Sequence, residues 1–185
     1  LSVIEDPLPR LLSELMLGRL DALITDGPPP AQLGNKLQCR LLIESRLALY
    51  ARPGLSLAGP LPQALGGAPL LLPGESAVTR LALLQLFDEH HVTPHIVGEF
   101  DDSALMRTLA ENGAGILPAP AILESTLCER DALRCLGILP HITERYYLVT
   151  LERKWHHPGN AALLRRFAQD HQLDSPPAAP RPGSA

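Results

Sequence analysis

Apolar positions in this chain fall into short runs cut by proline, glycine and carboxylate, with helical periodicity between them. Residues 1–4 form an apolar run closed by Glu5-Asp6, which predicts a buried strand. Leu8, Leu11, Leu12, Leu15 and Met16 then recur at helical spacing, with Asp6 placed to cap, Pro7 in the first turn and Gly18 at the end. Residues 20–25 predict a second buried strand, stopped by Asp26-Gly27 and three prolines. Residues 1–26 therefore read as a βαβ unit, expected to be parallel and right-handed. Residues 37–43 and 46–51 predict two more strands, and 53–64 a loop rich in proline and glycine. Residues 69–72 are a short strand broken by Pro73-Gly74, read as the first hinge between two lobes. Ser76 is placed to cap a long helix over 77–90, whose apolar residues cover more than one face.

The second half repeats this grammar. A strand over 95–100 runs into the acidic doublet Asp101-Asp102 and a helix over 102–111. A glycine turn and a strand over 114–117 follow, cut off by Pro118-Ala119-Pro120. The pattern then predicts a helix over 119–129, a strand over 133–136 and a strongly β-prone return run over 146–151. A closing helix over 158–171 has Ala162, Leu163, Phe167 and Ala168 on one side. Residues 174–185, DSPPAAPRPGSA, hold almost no large apolar group and are expected to be disordered. This order predicts an α/β, two-lobed, periplasmic-binding-protein-like (type II) fold. One lobe is expected from 1–72 plus 148–173, the other from 73–147.

Composition narrows the function. The chain has 185 residues, 45% hydrophobic and 19% charged, enough apolar content for a sizeable core. Its formal net charge of −4 argues against this segment gripping DNA by itself, because phosphate neutralisation supplies most of such affinity. Cys39, Cys128 and Cys135 form no CxxC pair and read as reduced thiols in a cytoplasmic protein; Cys128 and Cys135 are candidates for a redox pair, with buried apolar packing the plainer account. No apolar run nears the roughly 20 residues that span a bilayer. No GxSxG, HExxH or GxxxxGK[ST] run occurs, so nothing local supports an enzyme, and no cofactor is implied. His90, His91, His95, His156 and His157 match no standard zinc spacing and read as surface residues.

Three runs carry a family resemblance: GRLDALITD at 18–26, NGAGILPAP at 112–120 and RYYLVTLERKWHHP at 145–158. In order and spacing they resemble the effector-binding domain of LysR-type transcription regulators. The run GEFDDSALM at 98–106 more narrowly resembles the branch that activates sodium/proton antiporter genes. The resemblance implies a bacterial regulator acting as a homodimer or tetramer, with promoter DNA and RNA polymerase as partners. The family's DNA-binding winged helix-turn-helix precedes this domain and is not among these residues. It further implies effector contacts at Glu5 and Asp6, at Pro73, Gly74, Glu75 and Ser76, and at Glu99, Phe100, Asp101, Asp102 and Ser103. These would face a cleft between the lobes that holds a small ligand or cation.

Many relatives place serine or threonine at those corners, whereas Glu5, Asp6, Asp26, Glu75, Glu99, Asp101 and Asp102 make them acidic here. Clustered carboxylates suit a hard cation, and their mutual repulsion suits a pH response. Asp6, Asp26, Asp101 and Asp102 are the candidate cation ligands, with Na⁺, Li⁺ or a proton as the signal. The plainer account is that Asp6, Asp101 and Asp102 are helix N-caps. Two further readings share the fold: a solute-binding protein of a transport system and an enzyme. Upstream sequence separates the first from a regulator, and turnover would reveal the second. The apolar helix over 77–90, with Leu83 at its centre, is expected to pack on the helix over 8–17 of another subunit.

Overall fold

The computed structural model describes residues 2–154 and 157–170. The expected tail at 174–185, His156 and the end of the closing helix at His171 lie outside these residues. Two compact units are present, one from the residues up to Glu44 together with those from Arg145 onward, the other from Ser45 to Glu144.

In the first unit, helix α1 (Leu8–Met16) buries Leu12 and Leu15. It ends at Gly18, whose φ of 76° lets its N–H reach the Leu15 carbonyl at 2.9 Å while Arg19 N–H reaches Glu14 at 3.0 Å. The Lys154 ammonium closes the same end, bonding Gly18 O at 3.3 Å and Asp21 at 2.8 Å, where a cation suits the helix dipole. Asp6 does not cap this helix. Pro7 occupies the N-cap, and Asp6 pairs instead with Arg10 one turn along, at 2.9 Å.

The expected first strand is not formed. Residues 2–6 lie outside any strand, with Val3 81% and Ile4 53% exposed. Strand β1 (Leu23–Thr25) pairs antiparallel with the long strand β6 (Arg134–Leu151), Leu23 opposite Val149 and Thr25 opposite Tyr147. The expected parallel βαβ unit is therefore absent among the described residues. Strand propensity is realised only against a partner, and the 2–5 run has none. Leu12, Leu15, Leu23, Leu37, Val149 and Leu151 form this unit's core. Helix α4 (Pro158–Asp170) closes the chain, and buried Asn160 donates to the Lys154 carbonyl at 2.9 Å.

Strand β2 (Leu37–Ala51) is one continuous strand where two were expected. The polar pair Glu44-Ser45 does not break it, because each finds a distant partner. Glu44 pairs with Arg145, and the buried Ser45 hydroxyl accepts the Ile122 N–H at 3.0 Å. β6 is likewise a single strand across the two runs read separately. Strand neighbours run β1-β6-β2-β5.

In the second unit, β5 (Leu117–Pro120) pairs antiparallel with residues 47–50 of β2. The expected strand thus starts later and takes in both prolines. An edge strand tolerates them, since a missing N–H costs nothing on its open side. The expected helix over 119–129 is present as an irregular helical segment over residues 121–130, opening as a 3-10 turn at Ala121–Leu123 and ending as a π-helix at Thr126–Arg130. Strands β3 (Pro69–Pro73) and β4 (His95–Phe100) run parallel, with Leu70 bridging in parallel to Ile116 on its other side. Residues 45–72, expected in the first lobe, group with this unit because of these pairings.

Successive residues of β2 and β3 feed two cores. Leu47, Leu49, Leu70 and Leu72 pack with Leu83, Leu86 and Phe87 of helix α2 (Val78–Glu89). Ala48, Tyr50 and Leu71 pack with Met106 and Ala110 of helix α3 (Ser103–Glu111). Leu83 is fully buried and thus belongs to the core of its own chain rather than to a subunit contact. Val78, Leu81 and Leu84 are the exposed apolar residues of α2.

Two stability effects follow. α2 ends with His91 in the left-handed region (φ 52°), bonding Asp88 O at 3.1 Å while Val92 N–H bonds Phe87 O at 2.8 Å. Glycine removes the Cβ penalty there, so His91→Gly should raise unfolding stability by ~0.5–1 kcal/mol in denaturant titration. Leu83→Ala should lower it by ~2–5 kcal/mol, the usual cost of emptying a filled core position. An unchanged midpoint would show that Leu83 is not core.

Candidate functional site

β3 and β4 end side by side, Pro73 opposite Phe100, and the loops beyond them carry most of the residues singled out by sequence. Gly74 N–H bonds the Phe100 carbonyl at 2.7 Å, which locks the two strand ends together. A Cβ on Gly74 would fall 1.9 Å from Asp101 Oδ1, so a larger residue there would displace this carboxylate. Asp102 caps α3, accepting the Ala104 N–H at 2.8 Å and the Leu105 N–H at 3.1 Å. Asp101 does not cap. Ser76 does not cap α2 either: Ala77 holds that position, and its N–H bonds Gly74 O at 3.1 Å.

Arg80 is the residue that sequence reasoning missed. Its Nη1 donates to the Pro73 carbonyl at 2.9 Å and to Glu99 Oε2 at 2.9 Å, with only 17% of the side chain exposed. The Glu99 hydrogen bond holds the guanidinium's pKa above its ordinary value. Burial opposes this, and Glu99, Glu75 and Asp101 add attraction. A cation in a helix's first turn opposes the dipole, so its presence there was the available signal. What concealed it is that both its partners lie outside α2.

The structure therefore brings Pro73, Gly74, Glu75, Glu99, Phe100 and Asp101 together around one guanidinium, with Ser76, Asp102 and Ser103 exposed beside them. Glu5, Asp6 and Asp26 belong to the other unit, where Asp6 is paired with Arg10 and Glu5 and Asp26 are exposed. Among the described residues, no three His, Cys, Asp or Glu side chains gather so as to hold a metal ion. Asp6, Asp26, Asp101 and Asp102 accordingly make no such group. No helix among them is long and apolar enough to cross a membrane. The corner can hold a positive group between carboxylates, as it already holds Arg80, or offer Arg80 to an anion that displaces Glu99.

Known proteins share this architecture. Transcriptional activator protein NhaR of Escherichia coli (strain K12) is 26% identical over 149 residues, 80% of this chain and 49% of NhaR. The Shigella flexneri protein of the same name gives the same figures, so the chain spans about half the length of the curated relatives it matches. The Synechocystis PCC6803 CcmR regulatory domain in complex with 2-PG superposes with TM-score 0.63 at 20% identity, over 89% of this chain and 79% of that one. Full-length HypT from Salmonella typhimurium gives TM-score 0.67 at 15% identity, over 93% and 59%. The effector binding domain of QuiR in complex with shikimate gives 0.64 at 18%, over 92% and 81%. These likenesses establish the α/β, two-lobed, periplasmic-binding-protein-like (type II) fold. Residues 1–172 match the family model for the LysR substrate binding domain, and the chain belongs to that family.

Proposed function

We propose that this chain senses the effector of a LysR-type transcription regulator that activates a sodium/proton antiporter gene, with Na⁺, Li⁺ or a proton as the signal. The two units serve as the lobes, with the chain crossing inside β2 and β6. The observation that carries the reading is the Arg80–Glu99 ion pair at the ends of β3 and β4, with Glu75 and Asp101 in the loops that leave the same two strands. The similarity to NhaR supports it. In open α/β sheets the crevice beyond the strand ends is where ligands bind. A cation there competes with Arg80 for its carboxylates, and protonation weakens the same attraction. Either signal acts only by favouring one arrangement of the regulator over another. LysR-type regulators bind DNA and act as oligomers, and the exposed apolar residues of α2 are the proposed contact with a second copy. Promoter DNA and RNA polymerase would be met by the assembled regulator.

Arg80 favours one other reading. An organic acid could take the guanidinium from Glu99 by a charge-assisted pair. QuiR and CcmR, each solved with a small acid, share this fold.

Asp101→Asn with Asp102→Asn removes two charges and keeps most of the α3 cap. In the parent chain, NaCl and LiCl should raise the melting temperature more than choline chloride at equal ionic strength. A saturating cation stabilises by about 2.7 kcal/mol at a hundredfold excess over its Kd. The double variant should stay folded and lose that difference. Equal shifts with choline in the parent would reduce the effect to screening and sink the cation reading. A shift with shikimate that Arg80→Met abolishes would establish the organic acid instead.

Leu81→Glu places a charge on the exposed face of α2 without touching its core side. Sedimentation of the variant should show monomers that melt within about 0.5 kcal/mol of the parent, as surface substitutions do. An intact oligomer would move the contact elsewhere.

A further inference from the structure

Tyr50 is fully buried on β2, and its hydroxyl has no hydrogen-bond partner. Burial raises its pKa, with Cys135, Glu124 and Cys128 adding to the effect. Cys128 and Cys135 are free, partly exposed and packed against the core that holds Tyr50, Leu127 and Leu133. The backbone draws them towards each other. Leu133 N–H bonds the Leu127 carbonyl at 3.0 Å, closing the neck of the turn between them. Cys128 follows Leu127 directly. Cys135, the second residue of β6, lies two residues beyond Leu133, and both cysteines pack against the same core. The turn itself is irregular, a π-turn at Thr126–Arg130 followed by Ala132 at φ 53°. Such geometry is uncommon and recurs at functional segments.

We propose that Cys128 and Cys135 are a modification site, a dithiol that closes to a disulfide by exchange with a low-molecular-weight disulfide. One thiolate attacks a sulfur of that disulfide, forms a mixed disulfide and expels one thiolate. The second cysteine attacks the protein sulfur of the mixed bond and expels the other. The two thiol protons pass by way of solvent to the two expelled thiolates, and two electrons reduce the external disulfide to two thiols. The bond ties the turn to the start of β6 and constrains the unfolded chain. Burial pushes the Cys135 thiol up, a hydrogen bond involving the Gly137 backbone opposes this, and Glu124 and Cys128 add to the rise. Attack by Cys135 should therefore quicken about tenfold per pH unit while its thiol remains protonated.

The full chain is equilibrated in glutathione buffers of graded ratio at about pH 7 and about pH 8.5, acid-quenched, alkylated and mapped by peptide mass spectrometry. The peptides bearing Cys128 and Cys135 should lose two hydrogens together at one midpoint, while Cys39 stays alkylated. The oxidised chain should melt above the reduced chain. Cys128→Ser and Cys135→Ser should each abolish both changes, and Cys39→Ser neither. Full alkylation at every ratio, stable glutathione adducts, or cross-links through Cys39 would overturn the proposal. Mapping of the unsubstituted chain decides it even if a serine variant fails to fold.

Discussion

Burial of β2 and β3 on both faces constrains everything else in the second unit. Consecutive residues Leu47 to Tyr50 and Leu70 to Leu72 point alternately into two cores, one under α2 and one under α3. A strand buried on both faces must be apolar throughout, which is why these runs carry no alternation. It also leaves chemistry only at strand ends. β3 stops being apolar at Pro73, and the parallel register sets its end beside Glu99 and Phe100 at the end of β4. The corner with Glu75, Glu99 and Asp101 is thus a consequence of where hydrophobic burial ends.

Charge at that corner is managed by geometry rather than by distance. Asp102 is spent on the α3 cap, Glu99 on Arg80, and Asp101 lies against the bare Cα of Gly74. The helix starts of α2 and α3 add partial positive charge. What remains is a modest negative excess held by exposed side chains, in a region where solvent screens strongly. A tight, dehydrated metal cage does not fit that picture. A response at high cation concentration, or a competition for Arg80, does.

Local signals made some elements legible and long-range ones hid others. α1 declared itself by spacing and Gly18, β4 by its length between turns, and α3 by Asp102, all features held within a few residues. Residues 2–4 failed as a strand because a strand is a pairing, and sequence does not show the partner. Glu44-Ser45 looked like a break because its stabilisers, Arg145 and Ile122, lie far along the chain. Pro118 and Pro120 looked like terminators because edge position is a property of the sheet. At the corner, residue types and placement were legible, but Arg80 was not, since its roles depend on Pro73 and Glu99.

Tyr50 shows how such omissions can be found. A buried hydroxyl without a partner costs about 1–3 kcal/mol relative to one that is bonded. Phenylalanine would fill the same space in an apolar core without that cost. Most buried polar groups are satisfied, so an exception points to something the surroundings are meant to do. Around Tyr50 those surroundings are Glu124 and Cys128, on a helical segment that loosens to a π-helix at Thr126–Arg130, and Cys135 at the start of β6. The departure from helical regularity and the unpaired hydroxyl fall in one place. The proposed dithiol is the chemistry that this second core offers at that place.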